Sequence, residues 1–113
     1  MHEIGIAEDL SAIVLGTARN ANLSKVTKVN IIFGKMVQIV PDIFLFAFRE
    51  TVKNSVAQDA EVDIEIVPVK MKCKVCGSDF QVEENRFACN VCDSTDLEII
   101  HGKELFIKSI EGE

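Results

Sequence analysis

Apolar residues at Ile6, Leu10, Ile13, Val14, Ala18 and Ala21 recur at helical spacing, so residues 6–21 predict an amphipathic helix with one buried face. Asn22 and the residues after it end that helix. From Val26 to Phe33 the period changes to two: Val29, Ile31 and Phe33 lie on one face, Lys28 and Asn30 on the other, and Gly34 closes the strand. Pro41-Asp42 starts a second helix, with Pro in the first turn and an acid where the helix dipole favours one. Phe44, Ala47, Phe48, Val52 and Val56 form its stripe, which Leu45 and Phe46 widen beyond the needs of a single core contact. Residues 61–67 alternate again, with Val62, Ile64 and Ile66 inward and Glu61, Asp63 and Glu65 outward. Pro68 ends that strand, and Leu105 to Ile110, on a segment opened by Gly102, predict a last one.

The order is helix, strand, helix, strand, a cysteine-bearing stretch and a final strand. It predicts an α/β fold: two helices packed on one face of a small three-stranded sheet, with an inserted zinc-ribbon-like module. The expected division is 1–68 plus 101–113 for the α/β domain and 69–100 for the module. The insertion is expected to leave and re-enter the sheet at neighbouring strands.

The chain's only cysteines form two pairs, Cys73–Cys76 and Cys89–Cys92, separated by twelve residues. Four soft thiolates at that spacing suit a tetrahedral zinc ion with every position filled by protein, which makes the site structural. Gly77 follows the first pair, as in a zinc knuckle, where the chain turns sharply and aims N–H groups at sulfur. Asp93 stands at the matching place after the second pair, and Asp tolerates a left-handed backbone better than most residues. Between the pairs a small hairpin is expected: Phe80 and Val82 alternate, Glu84-Asn85 turn, and Phe87 returns to Cys89. Two disulfides or a dithiol redox site are the competing readings. No export signal favours the first, and no single CxxC opens a helix inside a βαβ unit as the second requires.

With 113 residues the chain supports one ordinary domain, or a small domain plus a metal-stapled module. A net charge of −6 with scattered Lys and Arg argues against a nucleic-acid reader. No apolar run has the length of a transmembrane helix and no presequence is visible, so a soluble cytoplasmic protein without a membrane partner is expected. Catalytic chemistry is sparse: two histidines, no P-loop, no Rossmann fingerprint, and no cysteine left over as a nucleophile. An enzyme is not expected.

His2 draws notice by its position. A free Met1 amine, the His2 amide nitrogen and the His2 Nδ1 close adjacent five- and six-membered chelate rings, a donor set suited to Ni²⁺ or Cu²⁺. Glu3 adds an amide nitrogen or a carboxylate. Some residue must occupy position two in every protein, and on these residues alone that plain reading stands first. His101, nine residues after the last cysteine, reads as an exposed turn histidine, with a nickel ligand or a pH-sensing group as the alternative.

Met1-His2-Glu3 opening an amphipathic helix resembles the start of the HypA/HybF family of hydrogenase nickel-incorporation proteins. So do Pro41 to Phe48, a strand ending at Val67-Pro68 just before the first CxxC, the double CxxC, and Gly102 to Glu111. The resemblance covers essentially the whole chain in order. It implies a nickel metallochaperone that binds Ni²⁺ transiently at Met1, His2 and Glu3 and holds structural Zn²⁺ at Cys73, Cys76, Cys89 and Cys92. It further implies a HypB-type GTPase and the hydrogenase large subunit as partners, with urease maturation assisted in some organisms. The alternative is a zinc-ribbon adaptor or regulator without nickel delivery, which leaves the N-terminal triplet unexplained.

Overall fold

The computed structural model describes residues 3–113; Met1 and His2 lie outside the described residues. Helix α1 (Glu3–Asn20) buries Ile6, Ala7, Leu10, Ser11, Val14 and Ala18. Ile13, assigned to that face from its spacing, is 53% exposed. At 100° per residue it projects about 20° beyond the edge of the stripe set by Ile6. Ala21 is exposed as well, because the helix has already ended. Buried Ser11 satisfies its hydroxyl locally, donating to the Glu8 carbonyl at 2.9 Å. The end of α1 is a Schellman turn: Asn22 is left-handed at φ 55°, its N–H bonds Arg19 O, and the Leu23 N–H reaches Ala18 O at 2.9 Å.

Strand β1 (Val26–Gly34) is central in a three-stranded sheet, with β2 (Glu61–Val67) parallel on one side and β6 (Leu105–Gly112) antiparallel on the other. A register shift against β6 between Val26 and Lys28 lets Val26 and Val29, three positions apart, both face the core. Helix α2 (Pro41–Thr51) links β1 to β2 and completes a β-α-β unit. Its Phe44 ring packs edge-on against Phe33 at 5.0 Å and lies 5.8 Å from Phe48. Phe46 points away from that core at 69% exposure. The helix stops at Thr51, so Val56 lies in the following turns; its side chain is exposed and its carbonyl accepts the Val26 N–H. Val62 and Ile64 pack on the core as expected, but Ile66 is 44% exposed, on an edge strand whose end the helices do not cover.

The remaining strands form a second sheet in the order β4 (Asp79–Gln81), β3 (Lys70–Cys73), β5 (Leu97–His101). It has its own apolar cluster of Val69, Met71, Cys73, Phe80, Val82 and Cys89. The hairpin expected between the cysteine pairs is not formed. β4 instead pairs back onto β3, with Met71 opposite Phe80 and Lys72 opposite Asp79, because the chain doubles back at the first CxxC. Glu84 and Asn85 do make the turn, both at positive φ, but residues 86–89 return without a strand.

The inserted segment leaves from β2 and returns at β6, which flank β1 from opposite sides and are not neighbours. At its stem two backbones nearly touch. The Gly34 N–H bonds Glu104 O at 2.7 Å and the Met36 N–H bonds Gly102 O at 2.9 Å. A Cβ on Gly34 would sit 2.0 Å from the Gly102 carbonyl oxygen, so only glycine fits there.

Candidate metal centre

Each CxxC pair is built as a tight turn, and the second repeats the first sixteen residues later. In the first, the Gly77 N–H bonds Cys73 O, the Cys73 N–H bonds Ser78 O, and the Cys76 N–H points at Cys73 Sγ at 3.5 Å. In the second, the Asp93 N–H bonds Cys89 O, the Cys89 N–H bonds Ser94 O, and the N–H groups of Val91 and Cys92 point at Cys89 Sγ at 3.4 and 3.5 Å. Gly77 and Asp93 hold equivalent left-handed conformations, φ 79° and 63°. The Asp93 carboxylate is also paired with the Arg86 guanidinium, an added tie that glycine would lack.

The two turns bring all four sulfurs within 4.8 Å of one another. Close sulfur pairs run between the turns, Cys73 to Cys92 at 3.6 Å and Cys76 to Cys89 at 3.5 Å. A disulfide would need about 2.05 Å. A tetrahedron of thiolates about 2.3 Å from zinc has edges near 3.8 Å, so the donor set fits a tetrahedral metal ion. Cys73 and Cys89 are buried, Cys76 and Cys92 exposed.

The protonation of the cluster is divided against itself. The Ser78 hydroxyl, 3.3 Å away, and the Ser78 N–H favour the Cys76 thiolate and bring that thiol down to about 6. Cys73 is also held below the usual thiol range, chiefly by the Cys76 N–H. At Cys92 the Ser94 N–H favours the thiolate, yet the Cys73 sulfur, with the other two sulfurs, outweighs it and pushes the thiol up to about 12. Four thiolates cannot share this space without a cation between them; a divalent ion removes the conflict. Ser78, Ser94 and Arg86 were not singled out from the sequence, although the serine repeated two positions after each second cysteine was a visible signal.

Met1 and His2, two of the three expected nickel ligands, lie outside the described residues. Glu3 opens α1, and its carboxylate accepts the Val40 N–H at 3.0 Å, just where α2 begins without a side-chain cap of its own. That bond ties the start of α1 to the start of α2. His101 is exposed as expected but ends β5 instead of lying in a turn; its Nδ1 lies 3.3 Å from Glu104 Oε2. It is not in the four-cysteine cluster, the group of potential metal ligands found among the described residues.

The family described as "Hydrogenase/urease nickel incorporation, metallochaperone, hypA" matches residues 1–112. The chain belongs to the HypA family. It is 35% identical over 111 residues to the hydrogenase maturation factor HypA of Aquifex aeolicus, covering 98% of this chain and 96% of that one. It is 35% identical over 113 residues to HypA of Trichodesmium erythraeum, covering 100% and 96%. The solution structure of the Ni metallochaperone HypA from Helicobacter pylori superposes with a TM-score of 0.71 at 27% identity, over 99% of this chain and 97% of that one. A second HypA solution structure gives 0.74 at 27% identity, over 100% and 97%. As a HypA-family chain, this protein is placed among metallochaperones for hydrogenase and urease maturation. Its paired helices, small sheets and four-cysteine cluster are the parts of that fold, the cluster being compatible with a zinc module. Among the described residues no helix is long and apolar enough to cross a membrane.

Proposed function

We propose that this chain is a cytoplasmic nickel metallochaperone that binds Ni²⁺ transiently through Met1, His2 and Glu3 and holds Zn²⁺ at Cys73, Cys76, Cys89 and Cys92. It hands nickel to a NiFe-hydrogenase large subunit together with a HypB-type GTPase, and it catalyses no reaction itself. The same role extends to urease maturation proteins in organisms that make urease. The observation that carries this reading is the closed four-sulfur cluster in a chain whose family match runs through its first residues. A site with every position filled by protein holds structure and leaves no opening for cargo. The cargo site is therefore separate, and the chelating triplet at the chain start supplies it.

The division proposed is an α/β domain of 1–68 plus 101–113 and a zinc module of 69–100. Two separate apolar clusters, one under each sheet, support it.

Glu3 contributes to nickel through its backbone nitrogen, because its carboxylate is engaged by Val40. The test is a nickel titration of zinc-loaded protein by calorimetry. One glycine added before Met1 moves the free amine out of the five-membered ring. It is expected to weaken Ni²⁺ binding as much as His2→Ala does, with zinc content and fold unchanged. Glu3→Ala should weaken it less, and binding should fall below neutral pH as protons compete for the amine, amide and imidazole nitrogens. An extended protein that binds nickel as tightly as wild type rules out the terminal amine as a ligand. A protein that binds zinc but no nickel is the zinc-ribbon adaptor.

A further inference from the structure

The helices spend one face on the sheet and leave a second surface at their own seam. Ile4, 64% exposed, and Phe46, the most exposed phenylalanine, join Ala47 in lining an open depression of about 330 Å³ between α1 and α2. Ile43, half-exposed and one turn before Phe46, continues the apolar surface along α2. The core has no need of Ile4, Ile43 or Phe46, since Phe44 and Phe48 already fill it from the other face of α2, while buried Ala47 forms the floor between the two. Glu8 and Glu50 stand with them at the depression, both exposed. Neither takes part in the ion pairs found among the described residues.

We propose that this seam is the docking groove for an amphipathic helix of another protein, one whose apolar stripe is flanked by Lys or Arg. An apolar groove between two helices accepts side chains at i, i+3, i+4 and i+7 of a third, and unpaired carboxylates select cationic flanks. A second copy of this chain is disfavoured, because an isologous contact would bring Glu8 and Glu50 against identical carboxylates. The purpose of the groove rests on the delivery role proposed above. Ile4 directly follows Glu3, so a helix seated there lies next in sequence to one of the proposed nickel ligands.

The test uses the full-length, zinc-loaded protein and two labelled synthetic helical peptides of about 18 residues, or five turns. Both carry leucine at i, i+3, i+4 and i+7; one is flanked by lysine and the other by glutamate. Fluorescence anisotropy should show binding of the lysine peptide only. Phe46→Asp, at a position the core does not use, should weaken it at least about tenfold. Glu8→Lys with Glu50→Lys should reverse the preference toward the glutamate peptide. Glu65→Lys with Glu83→Lys alters net charge equally elsewhere and should leave the preference unchanged.

If that control pair reverses the preference too, or if Phe46→Asp binds as wild type does, the groove is not the site and the proposal falls. Self-association by sedimentation that Phe46→Asp abolishes would overturn it in favour of a homodimer. Nickel titration of Phe46→Asp should match wild type, so the docking and delivery readings fail in different measurements.

Discussion

At the scale of single residues, the glycine with least room for a side chain is Gly34. It is constrained by the backbone of Gly102 and not by its own φ, so any Cβ must push two chain segments apart. Gly34→Ala is expected to cost about 3 kcal/mol or more, at the upper end of overpacking effects, and to lower the midpoint of thermal unfolding accordingly. Gly5 is the opposite case: it sits in α1 with nothing near its would-be Cβ, and Gly5→Ala should stabilise by about 0.5–1 kcal/mol. A Gly34→Ala protein that melts with wild type would show that the two segments are not in contact.

Glu104 gives the second residue-scale expectation. Its own N–H, then the Gly102 N–H at 2.7 Å and His101, hold its carboxyl below the ordinary value of 4.5 despite burial. A carboxyl whose pKa is lowered on folding adds stability that is complete above its unfolded value and is lost as pH falls through the folded one. Glu104→Gln should therefore be less stable than wild type near neutrality, with the gap closing below about pH 4. Chemical denaturation at a series of pH values measures it.

At the scale of elements, the cysteine module should depend on its metal while the α/β unit should not. The second sheet rests on a cluster of six residues, two of them cysteines, and its β4 has only three residues. Metal binding supplies most of the folding energy of so small a module. Chelation, or Cys73→Ala, is expected to unfold residues 69–100 and to leave the helical far-UV signal of α1 and α2 nearly intact. Loss of that signal on chelation would refute the division. Acid should release the metal in the same way, since protons compete for thiolates.

The helices, β1 from Val29 on and most of β2 were legible in the sequence because their burial follows one period each. β6 was legible from its apolar content alone, since its packed residues Ile107 and Ile110 lie three apart across a register shift. Errors arose where geometry beyond period decided: Ile13 just off the stripe, Ile66 past the cover of the helices, Val56 beyond the end of α2. The second sheet was largely illegible. Its strands are three to five residues long, and Cys73 and Cys89 serve there as both ligand and core. The cysteine cluster itself was readable from spacing, and the serines that tune it repeat with the same sixteen-residue spacing, whereas the Arg86–Asp93 pair follows no period.

For the molecule as a whole, the first sheet and the second are joined through a narrow stem, and the stem leads to the surfaces that matter. β1 runs into Gly34 and Met36, which hold Gly102 and Glu104, and the same segment continues to Val40, which holds Glu3. Glu3 at the start of α1, the beginning of α2 and the base of the cysteine module thus share one stretch of seven residues, 34–40. This arrangement sets where the chain can change length. A residue inserted between Gly34 and Val40 would shift one of these ties relative to the other, and a longer 101–104 turn would lose the Glu104 contact. The turn at Glu84-Asn85 is exposed and left-handed, and among the described residues it makes no backbone hydrogen bond to the 34–40 stretch that it faces across a cavity, so a loop or a small tag grafted there and directed outward should leave those ties in register.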